Sequence, residues 1–441
     1  MTDAARNFIE TYERERAALP GAGLAWLGAR RAEALKAFAE AGLPHRRLED
    51  WRYTDLSRAL GGATLSPAPL PDGAVVLPDA AKRASVAAFH DIDRHVIVFV
   101  NGRLRSDLSG TKLPAGVTLM SLGNALNSTW ARPLVETKVE AQAGNVIALN
   151  TALMRDGIGL HIARGAKLDT PLHLLFLAND DGASHVRNLV RLEEGAEATI
   201  FETHLDAGAR NYFVDHVTDV SLGKGAALTH VKIQDEAADA IHLASLTAEL
   251  AASSKLSSFS LTLGAKLSRS QSFVTFRGEG AEAHVNGATA LSGTQHGDHF
   301  CIVDHAVPNC SSRTLFKTVL DNASTGVFQG KVIVRPDAQK TDGRQMTNAL
   351  LLSRDAAMNA KPELEIYADD VQCAHGSTIG ELNREAIFYL RSRGIDEPTA
   401  RQLLISAFLD DAFETVPHEA ARDDLRKLAA SWFERHREKT A

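Results

Sequence analysis

The residues best suited to chemistry are Cys373 and His375, which lie near the C-terminal end of the chain and are separated by one alanine. On a β-strand, side chains two residues apart project from the same side, about 6.5–7 Å apart along the backbone. A thiolate and an imidazole at that spacing can grip one bridging metal ion or cluster. Gly376 follows and allows another backbone to come close. The spacing suits a ligand pair, but a lone Cys and His near a domain junction are more often structural, so both interpretations stay open at this point.

The cysteine count limits what such a pair can do alone. The chain has three cysteines, Cys301, Cys310 and Cys373, at gaps of 9 and 63 residues. No Cys-x-x-Cys pair and no even-numbered disulfide framework exists. Three cysteines cannot supply the four thiolates of the common all-cysteine cluster site. Any cluster bound here is therefore expected to be shared with another chain.

A second group of ligand-type residues surrounds Cys301. On a strand, His299, Cys301 and His305 would face one side, with His296 close by in the sequence. Such donors could hold a transition metal, which would make the protein a metal-dependent enzyme. We favour the alternative that these side chains are hydrogen-bonded parts of the core.

Two glycine patterns superficially resemble nucleotide-binding loops. The segment Gly326 to Lys331 is one residue too short for a Walker A loop and has Val332 where Ser or Thr must bind Mg²⁺. The segment Gly278 to Ala283 continues as an apparent strand, so no helix N-terminus follows to receive a phosphate. We expect this chain to bind no nucleotide itself.

Composition excludes several classes of protein. The 441 residues are 44% hydrophobic and 23% charged, which is typical of a globular protein. Asp and Glu exceed Lys and Arg by 55 to 48, so a nucleic-acid partner is not expected. The longest aliphatic or aromatic stretch near the N-terminus, Val96 to Val100, is far shorter than the ~20 residues that span a bilayer. These features predict a cytoplasmic protein without a membrane segment.

A repeat in the sequence predicts the strands that position these residues. Pairs of small residues follow short apolar runs at spacings of 30, 30, 28 and 27 residues, at Gly165-Ala166, Gly195-Ala196, Gly225-Ala226, Ser253-Ser254 and Gly280-Ala281. A near-constant period with about two short strands in each unit is typical of a solenoid. The pattern predicts a mainly β protein built on a parallel β-helix of roughly ten coils. An antiparallel sandwich or barrel is the alternative.

Helical regions flank the repeat on both sides. We predict an N-terminal helical region and linker over residues 1–92, the β-helix over 93–378, and a C-terminal helical domain over 379–441. The first region includes an alanine-rich helix, Ala25 to Ala41, and a linker rich in Gly and Pro, Gly61 to Ala80. In the last region Asp396 is expected to cap a helix. The C-terminal helices are expected to close the end of the rod.

Several motifs resemble the SufD family, subunits of the SUF iron–sulfur cluster assembly machinery. The resemblance covers nearly the full length and is densest from about 300 to 410. It is found in Phe328-Gln329-Gly330-Lys331, Ala338 to Asp342, Pro362 to Val371, Cys373-Ala374-His375-Gly376, Phe388-Tyr389-Leu390 and Arg393-Gly394-Ile395, and near the N-terminus in Pro44, Arg46, Glu49, Trp51, Tyr53, Thr54 and Phe99 to Gly102.

This resemblance implies a right-handed parallel β-helix and a non-catalytic scaffold role. The chain would pair with the paralogue SufB, or form a homodimer in isolation, and bind the SufC ATPase through its C-terminal helices. A transient Fe-S cluster, shared with SufB, would form near His375, with Cys373 beside it. A β-helix polysaccharide lyase or hydrolase remains the enzyme alternative.

The resemblance also selects partner-binding residues. These are Gly326, Phe328, Gly330, Lys331, Asp369, Asp370, Phe388, Tyr389 and Arg393. We expect the strand from Gly326 to Val334 to lie at the exposed edge of the rod, because unpaired strand edges recruit further strands.

Overall fold

The computed structural model describes residues 2–70, 88–110, 112–137, 139 and 142–437. Its central feature is a coil of strands that alternate between two facing sheets. The strands are β1 (His95–Val100), β2 (Arg103–Leu104), β3 (Val117–Ser121), β4 (Ile158–Ile162), β5 (Lys167–Ala178), β6 (Ala183–Leu192), β7 (Glu197–Asp206), β8 (Phe213–Leu222), β9 (Ala227–Asp235), β10 (Ile241–Leu250), β11 (Lys255–Thr262), β12 (Leu267–Phe276), β13 (Glu282–Leu291), β14 (His296–His305), β15 (Ser311–Leu320), β16 (Thr325–Val334), β17 (Asp342–Leu351), β18 (Ala357–Ile366) and β19 (Gln372–Gly380).

Ten strands form one sheet in the order β19-β17-β15-β13-β11-β9-β7-β5-β1-β2. Nine strands form the other sheet in the order β18-β16-β14-β12-β10-β8-β6-β4-β3.

The parallel β-helix is confirmed, but it has about eight turns and not ten. Three unexpected helices, α4 (Leu122–Ala125), α5 (Ala131–Glu136) and α6 (Asn145–Leu153), separate β3 from β4. The continuous coil therefore begins at Ile158. Apolar side chains from both sheets fill the lumen, the space between the facing sheets, and form the main core.

The repeated small residues lie at one corner of the coil. Gly165, Gly195 and Gly225 have φ between 65° and 67°, and Ser253 and Gly280 occupy the same corner with φ of 56° and 71°. The backbone nitrogen of Gly165 donates to the carbonyl of Glu194 at 2.8 Å, and later corners repeat this bond to the next turn. The corner needs left-handed backbone, which glycine adopts without strain, so the period is visible in the sequence.

The N-terminal helices cover the outer face of the nine-stranded sheet. They are α1 (Asp3–Glu15), α2 (Ala25–Ala41) and α3 (Leu56–Ala59), with a 3-10 helix at Glu49–Trp51. Phe8 and Trp51 are fully buried and pack with Phe213 and other apolar residues of that sheet. Helix α2 has the predicted bounds. Of the predicted linker, residues 71–80 lie outside the described ranges.

The last two C-terminal helices pack along the flank of the coil, so the prediction that the C-terminal helices close its end is wrong. The C-terminal helices are α7 (Arg384–Ser392), α8 (Glu397–Phe413), which Asp396 caps, and α9 (Glu419–Arg437). Phe413 and Trp432 are buried with Phe201 and Phe259 on the outer face of the ten-stranded sheet. Apolar residues of α8 and α9 contact that face, and the side chains of β19 in the last turn are mostly exposed. No helix in the described ranges is long and apolar enough to cross a membrane.

Candidate functional site

The last turn of the coil is an open end. Strands β18 and β19 are the terminal strands of the two sheets, so in the described part of the chain each is paired along one edge only. Strand β19 pairs in parallel with β17, with Cys373 opposite Gly343 and His375 opposite Gln345. Gln345 donates to the carbonyl of Gly330 in the facing sheet at 3.2 Å. His375 therefore lies on the lumen side, where no further turn in the described ranges covers it.

Cys373 and His375 occupy different environments on this strand. Cys373 is half-buried and packs in an apolar cluster with Val332 and Val334. Burial raises the pKa of its thiol, so the uncoordinated side chain stays protonated at neutral pH. His375 is exposed. The imidazole is accessible to a partner, and the thiol lies deeper.

The two side chains do not form a complete metal site. Among the described residues, the one group of three or more His, Cys, Asp or Glu donors within ligand distance is His204, Glu236 and His242, elsewhere in the lumen. An Fe-S cluster or metal ion at Cys373 and His375 would need further ligands from beyond the described residues. The sharing of such a site with another chain stays a prediction.

Exposed apolar side chains surround the open end. Ile366 is 41% exposed, Tyr367 60% and Ile379 49%. Asp369 and Asp370 lie on the exposed segment between β18 and β19, where Lys340 forms an ion pair with Asp370. Large exposed apolar residues next to unpaired strand edges are typical of a docking surface. The sequence analysis did not select these three side chains as partner-binding residues, because their exposure depends on how the turns stack.

A second exposed surface lies on helix α7. Phe388 and Tyr389 are 75% and 58% exposed. The Arg393 guanidinium lies 5.3 Å from the centre of the Tyr389 ring. Cation–π contact holds this tyrosine in place without burying it. The structure thus leaves the predicted partner residues of this helix accessible.

The prediction that Gly326 to Val334 forms an exposed edge is wrong. Strand β16 pairs on one side with β14 and on the other with β18. Phe328 is 1% exposed in the core, and Gly326 and Gly330 are also buried. A Cβ at Gly330 would clash with Gln345 Oε1. Lys331 is only partly exposed and forms an ion pair with Glu365 at 2.9 Å.

The side chains around Cys301 have structural partners inside the lumen. His299 lies 2.7 Å from the hydroxyl of Thr289, and His305 lies 2.9 Å from that of Ser312. Burial raises the pKa of Cys301 to about 12. A protonated thiol and two hydrogen-bonded imidazoles favour the structural interpretation of this group over a metal site.

These buried histidines make stability sensitive to acid. Burial lowers the pKa of His299 and His305 to about 4, against about 6.5 in an unfolded chain. Between these values the unfolded state binds protons that the folded state does not, so stability is lost as pH falls from 6.5 towards 4. The free energy of unfolding of the wild type should decrease between pH 7 and pH 5.5. We expect this decrease to be about 1 kcal/mol smaller in His299→Gln. Urea unfolding at both pH values tests this, and an unchanged loss in the variant would contradict it.

Two family models match consecutive parts of the chain. The model described as the SufBD protein N-terminal region matches residues 2–174. The model described as the SUF system FeS cluster assembly, SufBD core domain, matches residues 175–408. The second match includes β19 and helix α7.

Curated relatives match over most of their length. An iron-sulfur cluster assembly SufBD family protein of Synechocystis is 33% identical over 88% of this chain and 87% of its own. The iron-sulfur cluster assembly protein SufD of Escherichia coli is 29% identical over 89% of each chain. A SufBD family protein of Mycobacterium tuberculosis is 29% identical over 87% of each. On this evidence the chain belongs to the SufBD family of iron–sulfur cluster assembly proteins.

Proposed function

We propose that this chain is a non-catalytic scaffold subunit of the SUF machinery, and that a nascent Fe-S cluster is built where its open end meets the paralogue SufB. Family membership supports a role in cluster assembly and favours it over the lyase, hydrolase and metal-enzyme alternatives. One observation carries the finer proposal. His375 is exposed beside two unpaired strand edges, and the donor set around it is incomplete.

The open end is suited to strand addition. A partner strand placed beside β18 or β19 would pair with their free backbone groups and continue a sheet across the interface. Ile366, Tyr367 and Ile379 would then be buried between the two chains. A paralogue with a similar last turn fits this surface, and a second copy of this chain is the competing occupant in isolation.

The chemistry assigned to the chain is ligation and positioning. The His375 imidazole can offer a nitrogen lone pair to an iron atom of the cluster cargo when the ring is neutral. The Cys373 thiol has a raised pKa and would lose its proton only on binding iron, so we assign it the auxiliary role. The remaining ligands would come from SufB. Hydrolysis of ATP is assigned to SufC, which would dock on the C-terminal helices.

Ile379→Asp tests the docking surface. A carboxylate at this position would be buried without a partner in the complex, so we expect affinity for SufB to fall about tenfold or more. The melting temperature should change little, because the side chain is 49% exposed in the single chain. Leu403→Asp on α8 is the matched control, since Leu403 is 48% exposed on a helix whose main strand contacts are with β13 and β15. Titration with purified SufB measures both, and equal losses in the two variants would overturn the assignment.

A further inference from the structure

A buried polar cluster lies inside the lumen, far from the open end. His204 on β7, Glu236 just after β9 and His242 on β10 each place one ligand atom within 4.8 Å of the others. Their exposed fractions are 1%, 6% and 0%. Along the ten-stranded sheet, β7 is six strands from β19, or about 29 Å at ~4.8 Å between strands. This cluster is therefore separate from Cys373 and His375.

One nitrogen of His204 has no partner among the described residues. Its Nε2 contacts Glu202 Oε1 at 2.6 Å, and the same carboxylate contacts His230 at 3.1 Å. Its Nδ1 is buried and makes no hydrogen bond within the described chain. A carboxylate that accepts a hydrogen bond from one ring nitrogen fixes the tautomer of the imidazole. The other ring nitrogen then has a free lone pair. Metal-bound histidines commonly have this carboxylate contact.

The other two donors are close to each other. His242 Nδ1 lies 2.6 Å from Glu236 Oε2 and has no other partner among the described residues. Two ring nitrogens and one carboxylate oxygen are therefore gathered in a buried space, and these are donor types that zinc binds.

The surroundings leave room for an ion. A cavity of about 20 Å³ borders His204 and Glu236, enough for one water, and His216 lines it with a second unpartnered Nδ1 among the described residues. Lys232 Nζ lies 3.1 Å from His242 Nε2, on the opposite side of the ring from Glu236.

We propose that His204, Glu236 and His242 form a binding site for one divalent transition metal ion of the zinc class, with a fourth position open towards the cavity. Two imidazoles and one carboxylate are a donor set that suits tetrahedral zinc. Glu202 acts as the positioning residue that orients His204. This inference does not depend on the proposed assembly role.

Zinc binding to the full-length chain tests the site. The protein is stripped with a chelator, dialysed against Zn²⁺ and analysed for metal, and Co²⁺ absorption reports the coordination geometry. We expect one ion per wild-type chain, with affinity lost in Glu236→Gln and weakened about 10–100-fold in Glu202→Gln, which removes no ligand. His299→Gln and His375→Ala are the matched controls, and both should bind zinc as the wild type does. Circular dichroism checks that each variant is folded.

Two results would overturn the proposal. The first is a wild-type chain that retains no zinc after dialysis. The second is zinc that follows His375 or His299 and is unaffected by Glu236→Gln. The wild-type result decides the question even if a ligand variant fails to fold.

Discussion

His375→Ala is expected to reduce the yield of Fe-S cluster in the assembled complex by about tenfold or more, with folding and partner binding unchanged. The imidazole is exposed on the terminal strand, so its removal leaves no core cavity. Its loss removes the accessible ligand of the proposed pair. Anaerobic reconstitution of the purified complex, followed by iron and sulfide analysis, measures the yield. Cys373→Ala should have an equal or milder effect, because its thiol is half-buried and has a raised pKa.

Ser377→Ala is the matched control, since Ser377 is exposed on the same face of β19 two residues further on. It should assemble clusters at the wild-type rate. If His375→Ala also assembled at that rate, the functional reading of the site would be wrong. A melting temperature many degrees lower in His375→Ala would instead assign this histidine a structural role.

The double variant Phe388→Ala, Tyr389→Ala is expected to abolish most binding of the SufC ATPase. Exposed aromatic side chains are frequent hot spots, and losing two of them costs about 2 kcal/mol or more each. Calorimetric titration with SufC measures the change. The melting temperature should remain close to that of the wild type, because neither ring is buried in this chain.

Deleting residues 397–441 would be a less specific test of ATPase docking than these point variants. Helices α8 and α9 cover Phe201 and Phe259, so a deletion would expose that apolar face and destabilise the coil. Ile379→Asp serves as the reciprocal control, since it should weaken SufB pairing and retain ATPase binding. Unchanged ATPase affinity in the double variant would exclude α7 as the docking helix.

Features fixed by short stretches of chain were predictable from the sequence. The hairpin after His95 to Val100 turns at Asn101 and Gly102, whose φ values are 52° and 71°, as that dipeptide predicts. Asp396 caps α8 with its side chain, and Gly394 has a φ of 87° after α7. The strand position of Cys373 and His375 followed from the same local reasoning.

Features that depend on stacking were not predictable in this way. Strand β16 is internal because β18 pairs with its outer edge, a contact between turns that the sequence of β16 alone does not show. The cluster of His204, Glu236 and His242 comes from three segments of successive turns, so no sequence motif marks it. The placement of α8 and α9 on the flank depends on which sheet face is apolar. Each of these features depends on which strands and faces lie next to each other in the folded chain.

The most direct test of the central claim is the iron and acid-labile sulfide content of this chain alone, of SufB alone, and of the SufBCD complex after identical anaerobic reconstitution. The shared-site account predicts that this chain alone holds no stable Fe-S cluster and that the complex holds more than its separate subunits. A full cluster assembled on this chain alone would contradict the account. The account would also be contradicted if the complex held as much iron and sulfide as SufB alone and if His375→Ala did not change that amount.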